Sequence, residues 1–464
     1  MVSIRVAQKA VRICEGLGAE YVDARVERTY STEIRLMKDT FDQVASGVDQ
    51  GLGVRVLYKG AWGFGSSTSL EPRDVSETVR GAFKAAKATA PRATEKVRFA
   101  EISAVKDSVA VTVKEPLQSV PIETKMELTL EASGEASKFD KRVASVTVTY
   151  SDTSGETYLA TSEGTQLIGR PSRGSIVVVA VAREGAKVGT IRERNGMQAG
   201  FELFKKVDPL GLARRAAERA VGLLKAAPAP SGRFTVIADQ KLAGVFAHEA
   251  VGHASEADHV ITGESVLRDK IDQRVGSDLV TLYDDSTYPE GWGSSVYDSE
   301  GVPTRKRLII EKGFLKGYIL NRETAAHLDM KPNGGARAQS SAYRPVVRMS
   351  NTYLSAGDQS FEELLEGVDS GVYLKGSRGG QVDTTKGTFQ FSAEEGCLIE
   401  KGQLAKPLSD VSLSGMTLET LMNIDGIAGD FQLSMGLCGK AGQVVATGMG
   451  SPHVRIRNAV VGGK

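Results

Sequence analysis

Residues 226–253 read AAPAPSGRFTVIADQKLAGVFAHEAVGH, and the chain changes character across them. AAPAPSG (226–232) has the composition of an inter-domain break. FTVIAD then reads as a strand, and Gln240 to Val251 as a helix. That helix leads into HEAVGH (248–253), which holds two of only five histidines in 464 residues, with a glutamate directly after the first. Imidazole nitrogens bind zinc well, and a carboxylate beside a metal-bound water can take its proton. The hexapeptide points to a metal-dependent hydrolase. The plainer alternative is a helix that happens to carry His, Glu and His.

The spacing is unusual. A helix turns about 100° per residue, so His248 and His253, five apart, lie roughly 140° apart on a regular helix. Glu249 and His253, four apart, share a face. Both histidines reach one metal only if the helix widens or ends between residues 248 and 253. Gly252 is where such a distortion is cheap, and single π turns cluster at functional sites.

Working outward, residues 228–464 read as a mostly antiparallel β domain with a few helices, the metal-motif helix among them. DLVTLYDD, RKRLIIEKGFLKGYIL, VYLKGSRGG and GTFQFSAEEGCLIEKGQL are strand-like, and FEELLEGV is a small helix. Residues 1–227 read as an N-terminal α/β domain, so the chain as a whole is α+β. A helix over about 3–18 is followed by the strand-like runs YVDARVERTY, TEIRLMKDT and LGVRVLYKGAWGFGSS, the last a hairpin turning at Lys59-Gly60. A helix then starts near Asp74. The order returns with a helix over 123–139, the strands RVASVTVTYSD, GETYLATSEG, TQLIGRP and SIVVVAVAREG, and a helix from Asp208. Such a repeat is what an internal duplication would produce.

Composition narrows the class. Apolar residues make up 41% and charged residues 25%, ordinary for a globular protein. The net charge of +1 gives no reason to expect nucleic acid or an anionic membrane as partner. No apolar run is long enough to span a bilayer, and the N-terminus lacks the apolar core of a signal peptide. Three cysteines, odd in number and far apart, argue against a disulfide framework and for a reducing compartment. The expected location is the cytoplasm.

A catalytic zinc usually takes three protein ligands. On chemistry alone Cys438, set among glycines in GLCGKAGQ, and Glu256 rank highest as the third, with Asp258, His259, His327, Cys397 and His453 also available. Cys397, in EEGCLIE, reads as a simple core or surface thiol, and His327 as a structural helix residue. His453 reads as a loop residue and His259 as exposed.

Several blocks, in order, resemble the TldD/PmbA family and its TldD type in particular. They are HEAVGHASEAD, the run from Leu282 to Ile319, NGGARAQSSAYRPVVRMSNTYL, and GLCGKAGQ with the closing VVGGK. The resemblance is strongest over about residues 230–464. It implies a zinc metallopeptidase in which His248, His253 and Cys438 hold the metal and Glu249 is the catalytic base. It also implies unfolded peptides as substrates and a dimer, either of two copies or with a TldE-like subunit. GGARAQ departs from the family's Asn-Gly-Arg-Arg stretch, so no catalytic role is carried onto Arg337. Lys440, two residues after Cys438, is a candidate to offset the thiolate's charge. Glu256 and Asp258 are candidates to orient a histidine. The rival reading is a catalytically silent peptide-binding or scaffold subunit. A purely structural zinc fits less well, because it needs a fourth strong ligand and has no use for Glu249.

Overall fold

In the computed structural model, which describes residues 2–463, the first half of the chain builds one sheet by running the same element order twice. Helix α1 (Ile4–Glu15) leads into strands β1 (Tyr21–Met37), β2 (Thr40–Tyr58) and β3 (Ala61–Ser67), and helix α2 (Pro72–Thr89) follows. After a short strand β4 (Lys106–Ala110) the order returns. Helix α3 (Ile122–Ser137) leads into β5 (Val143–Thr161), β6 (Gln166–Arg170), β7 (Ser172–Glu184) and β8 (Lys187–Met197). A short α4 (Leu203–Val207) and helix α5 (Pro209–Leu223) close it. β1 and β5 pair antiparallel at the centre, with β2 and β3 on one side and β7 and β8 on the other. β6 and β7 keep one register against β5 and part at Pro171, which has no N–H to donate.

The two halves are related by position as well as by order. Thr29 faces Gly155 across the central pair, and the same offset carries Gly63 in β3 onto Gly189 in β8. Both glycines let a helix press on the sheet. A Cβ at Gly63 would sit 2.1 Å from the Ala82 carbonyl oxygen of α2, and one at Gly189 2.2 Å from that of Ala220 in α5. The helices match this with small residues at helical spacing. Val75, Val79, Ala82 and Ala86 face the first half, and Ala213, Ala216, Ala217 and Ala220 the second. α5 starts where its sequence says it should: the Asp208 side chain accepts from the Gly211 N–H, and Pro209 takes the first position.

Three details differ from the sequence reading. YVDARVERTY and TEIRLM form the single strand β1, because Ser31 between them is paired on both sides, to Gly47 of β2 and Thr153 of β5, and Lys38-Asp39 make the turn into β2. β8, which the sequence reading leaves out, is an edge strand: Lys187, Val188, Thr190 and Arg192 are exposed, while Glu193 is buried against Arg219 and Lys241. The N-terminal sheet is antiparallel throughout except for β4 beside β6, so it lacks the parallel core that "α/β" implies. The hairpin at Lys59-Gly60 forms as expected, both residues having positive φ.

Beyond residue 231 two sheets enclose a buried helix. Strand β9 (Gly232–Ala238) leads into α6 (Gln240–Phe246), and α7 (Ala257–Thr262) follows. Then come β10 (Leu282–Asp285), β11 (Asn351–Leu354), β12 (Ser370–Lys375), β13 (Gln432–Lys440), β14 (Gln443–Ser451) and β15 (Val454–Gly463). β9 sits in a ten-stranded sheet between β15, antiparallel, and β12, parallel. β10, β11, β14 and β13 are neighbours in a six-stranded sheet whose only parallel pair is β11 with β14. α6 lies between the sheets, so Leu242, Ala243, Val245, Phe246 and Ala247 are all buried although they point around the whole helix. Among the described residues no helix is long and apolar enough to cross a membrane.

Charges tie the two halves of the chain together. Arg55 of β2 is buried between Asp23 of β1 and Glu300, at 2.7 and 2.8 Å. Arg322, fully buried, forks onto Glu163 with two 2.7 Å bonds. The close packing at the two glycines gives a direct test. Gly63→Ala and Gly189→Ala should each lower unfolding free energy by about 1–3 kcal/mol, read from urea midpoints. An unchanged midpoint in either would mean that the helix-to-sheet contact is looser than described.

Candidate metal centre

The centre begins with a capped helix. The Asp239 side chain accepts from the Leu242 N–H at 2.8 Å and from the Gly376 N–H at 2.9 Å, fixing the start of α6 against β12. α6 is regular to Phe246. From Ala247 to Gly252 the backbone widens into one π turn, in which the His253 N–H donates to the His248 carbonyl. This i→i+5 bond stacks residues five apart. The rings of His248 and His253 stand edge to face with centroids 5.4 Å apart. Gly252 has φ −58°, so it supplies no unusual torsion. It supplies room: a Cβ there would lie 2.1 Å from Met349 Sδ.

Cys438, on β13, completes a trio. The ligand atoms of His248, His253 and Cys438 all lie within 4.8 Å of one another. Cys438 Sγ is 3.3 Å from His253 Nε2. His248 is fully buried, and neither of its ring nitrogens has a hydrogen-bond partner. A buried imidazole left unpaired is costly, and a bound cation would satisfy it. Two imidazoles and a thiol of this softness suit zinc. Burial pushes the Cys438 thiol up, but the two imidazoles beside it, His253 within hydrogen-bond reach and His248 close by, outweigh it and hold the thiol down at about 5. At neutral pH the sulfur is then a thiolate, the form that binds metal.

Behind His253 lies a buried carboxylate. Glu256 has no exposed surface, and its Oε2 is 2.8 Å from His253 Nδ1 and 3.0 Å from Lys440 Nζ. Lys440 also donates to Asp258 Oδ1 at 2.7 Å and to the Val347 carbonyl at 3.2 Å. Burial alone would raise the Glu256 carboxyl, but His253 and Lys440 bring it down to about 2. Glu256, ranked beside Cys438 on chemistry alone, therefore spends its Oε2 on the far side of the imidazole, away from the trio. That bond fixes the tautomer that turns Nε2 toward Cys438. Asp258 holds Lys440 and touches neither histidine of the trio. Glu249 Oε2 lies 3.6 Å from His253 Nε2, and its side chain is 29% exposed, so the carboxylate looks from the trio toward solvent.

The remaining candidates fall outside. His327 is exposed at the end of a short helix. His453 lies in a loop, as expected, but is buried between Tyr373 and Asp430. His259 is half-buried beside Glu264 rather than exposed. Cys397 is a half-buried strand thiol, and Cys14 sits in the core, where burial pushes it up to about 12. One contributor carried no spacing signal in the sequence. Arg348, fully buried, donates to the carbonyls of Cys438, Lys440 and Gln443 and so anchors the strand that presents the thiol.

Fold and donor set together define the class, a metallopeptidase-type chain. More particularly, the chain belongs to the PmbA/TldD metallopeptidase family. Family descriptions match in succession: PmbA/TldA metallopeptidase domain 1 over residues 22–90, the central domain over 115–224 and the C-terminal domain over 231–463. It is similar to a metalloprotease of Methanothermobacter thermautotrophicus, 43% identical over 96% of both chains. It is also similar to a zinc metalloprotease TldD homolog of Saccharolobus solfataricus, 32% identical over 98% of this chain and 99% of that one. Among solved structures, TldE from Thermococcus kodakarensis shares the fold, with a TM-score of 0.81 at 19% identity over 99% of this chain and 100% of that one.

Two measurements test the centre. Glu256→Gln should keep the fold and weaken metal binding about 10–100-fold in chelator competition. In metal-free protein, the thiolate absorbance lost in Cys438→Ser should titrate near pH 5, where the thiol is held at about 5. A midpoint in the ordinary thiol range would contradict the described imidazole contacts.

Proposed function

We propose that the chain is a zinc-dependent peptidase acting on unfolded or extended peptides, with His248, His253 and Cys438 as metal ligands and Glu249 as general base. The observation that carries this reading is Glu249: a partly exposed carboxylate 3.6 Å from His253, at the mouth of a buried three-donor set. A zinc ion in that set supplies Lewis acidity, which polarises a carbonyl and acidifies water. The rest is the chain's own work. Glu249 takes a proton from the attacking water and returns it to the leaving amine. Glu256 holds His253 in one orientation, and Lys440 neutralises Glu256 so that its charge adds little to the thiolate's. Arg348 keeps Cys438 in place through its backbone.

Peptide capture follows from the strand that carries Cys438. β13 is the edge of its sheet, and among the described residues no strand pairs with its outer side. Leu437 is 61% exposed, and a Cβ at Gly439 would meet nothing within 4 Å. An extended peptide can add to this edge through main-chain hydrogen bonds beside the centre. A folded substrate has no free strand to offer, which supports selectivity for unstructured chains. The likeness to TldE supports assembly with a TldE-like subunit or with a second copy. Three unpaired cysteines support a reducing, cytoplasmic setting. The intact donor set and Glu249 favour this reading over a silent subunit.

The test is an unstructured peptide assayed with the purified chain, alone and with a TldE-like subunit. Glu249→Ala should retain zinc by elemental analysis and lose cleavage by about 10²-fold or more. Cys438→Ser should lose both metal and cleavage. Undiminished cleavage by Glu249→Ala would remove the proposed base.

A further inference from the structure

A second site lies behind the same hairpin. Along β13 successive side chains alternate, so Cys438 faces the metal centre while Leu437 faces the other way. There, Met435 and Leu437 border a cavity of about 1160 Å³ between the N-terminal sheet and the second domain. Its size exceeds the roughly 300–1,000 Å³ typical of small-ligand pockets and gives room for several residues of an extended chain.

One wall concentrates hydrogen-bond donors that have no anion to serve. Arg173, on β7, makes no hydrogen bond or ion pair among the described residues; its guanidinium lies 5.5 Å from the centre of the Trp292 ring. Trp292 is nine-tenths buried, lines the cavity and has an indole N–H without an acceptor. Arg337 joins them through Ala446, which packs against Trp292 and whose carbonyl accepts from Arg337 at 2.7 Å. Its other contact is the Met349 carbonyl, so no carboxylate pairs with it. Burial, reinforced by the charge of Arg173, pushes the Arg337 guanidinium down to about 9.

The acids on the cavity wall are engaged elsewhere. Asp152 is bound to Lys125 and Glu290 to Lys206. Glu202 and Glu27 accept backbone N–H bonds, from Lys114 and Glu115 and from Ser341 respectively. Asp298 accepts three, from Glu300, Val302 and Ala336. Two like charges, both half-buried, beside a buried free N–H therefore form a receptor that lacks its anion. A planar guanidinium fork matches a planar carboxylate, and the apolar side chains of Met435, Leu437 and Val444 suit the rest of a peptide.

We propose that Arg173, Arg337 and the Trp292 N–H form a subsite that binds a carboxylate of a peptide substrate, at its C-terminus or on an acidic side chain. This deepens the peptidase reading and rests on it. The subsite selects which part of a peptide is held across the hairpin from the metal.

The experiment measures binding separately from catalysis. The full chain carrying Glu249→Gln, with zinc present, is titrated calorimetrically with three versions of one unstructured peptide. One is the free acid, one the C-terminal amide without acidic residues, and one the amide with an internal glutamate. The free acid should bind at least about tenfold tighter than the acid-free amide, as a charge-assisted hydrogen bond at a partly buried site predicts. The third peptide identifies the range of carboxylates: binding like the free acid shows that a side-chain carboxylate serves as well as the terminus, and binding like the plain amide assigns the terminus alone. Arg173→Gln should abolish the preference. Because Arg173 has no hydrogen bond to lose, thermal unfolding should be unchanged. Equal affinity for all three peptides, or a preference that survives Arg173→Gln, would overturn the subsite. Cleavage by the Glu249→Gln protein would count against the catalytic reading alone and leave the carboxylate comparison standing.

Discussion

One backbone hydrogen bond sets the geometry of the centre. On a regular α-helix His248 and His253 diverge, whatever their neighbours do. The bond from the His253 N–H to the His248 carbonyl adds one residue to the turn and brings the two rings together. π turns are rare because they pack less well, so this one is held from outside. The Asp239 cap fixes the helix before it, and Gly252 fits against Met349 with no space for a side chain. Glu256 then grips His253 as soon as the turn ends. A larger residue at 252 or a regular helix through 253 would leave Cys438 facing a single imidazole.

The side chains behind His253 form a chain in which each carboxylate meets a cationic partner, whereas buried Arg348 is met by backbone carbonyls. His253 meets Glu256, Glu256 meets Lys440, and Lys440 meets Asp258 at the boundary with solvent. Breaking such a chain is costlier than never burying it, because one charge is left uncompensated. Arg55 with Asp23 and Glu300, and Arg322 with Glu163, repeat the pattern where the repeated sheet meets the second half of the chain. The N-terminal sheet is thereby locked in orientation, and with it the far wall of the cavity behind β13.

Much of this was legible in the sequence, for identifiable reasons. Five-residue spacing is incompatible with a regular helix if both histidines face one site, so the distortion between 248 and 253 could be expected from the letters HEAVGH. The repeat showed through element order, since strand and helix periodicities survive where residue identity does not. What stayed hidden depends on contacts distant in sequence. Arg348 gives no motif and matters only because its fork reaches the carbonyls around Cys438. Glu256 near a histidine is equally suited to ligand or orienter, and only the side of the ring it occupies decides. β8 hid because charged residues on an edge strand mimic a loop. Gly63 and Gly189 are ordinary letters until a helix lies over them.

The contact between Cys438 and His253 closes a loop of 185 residues. The histidines leave the ribosome early, but their sulfur partner arrives with the last hairpin of the second domain. Until β13 and β14 have been made and paired, His248 and His253 stand without the thiol that completes their donor set. A chain still being synthesised thus lacks the trio. The order of residues along the chain acts as a timer, delaying the centre until the molecule is folded.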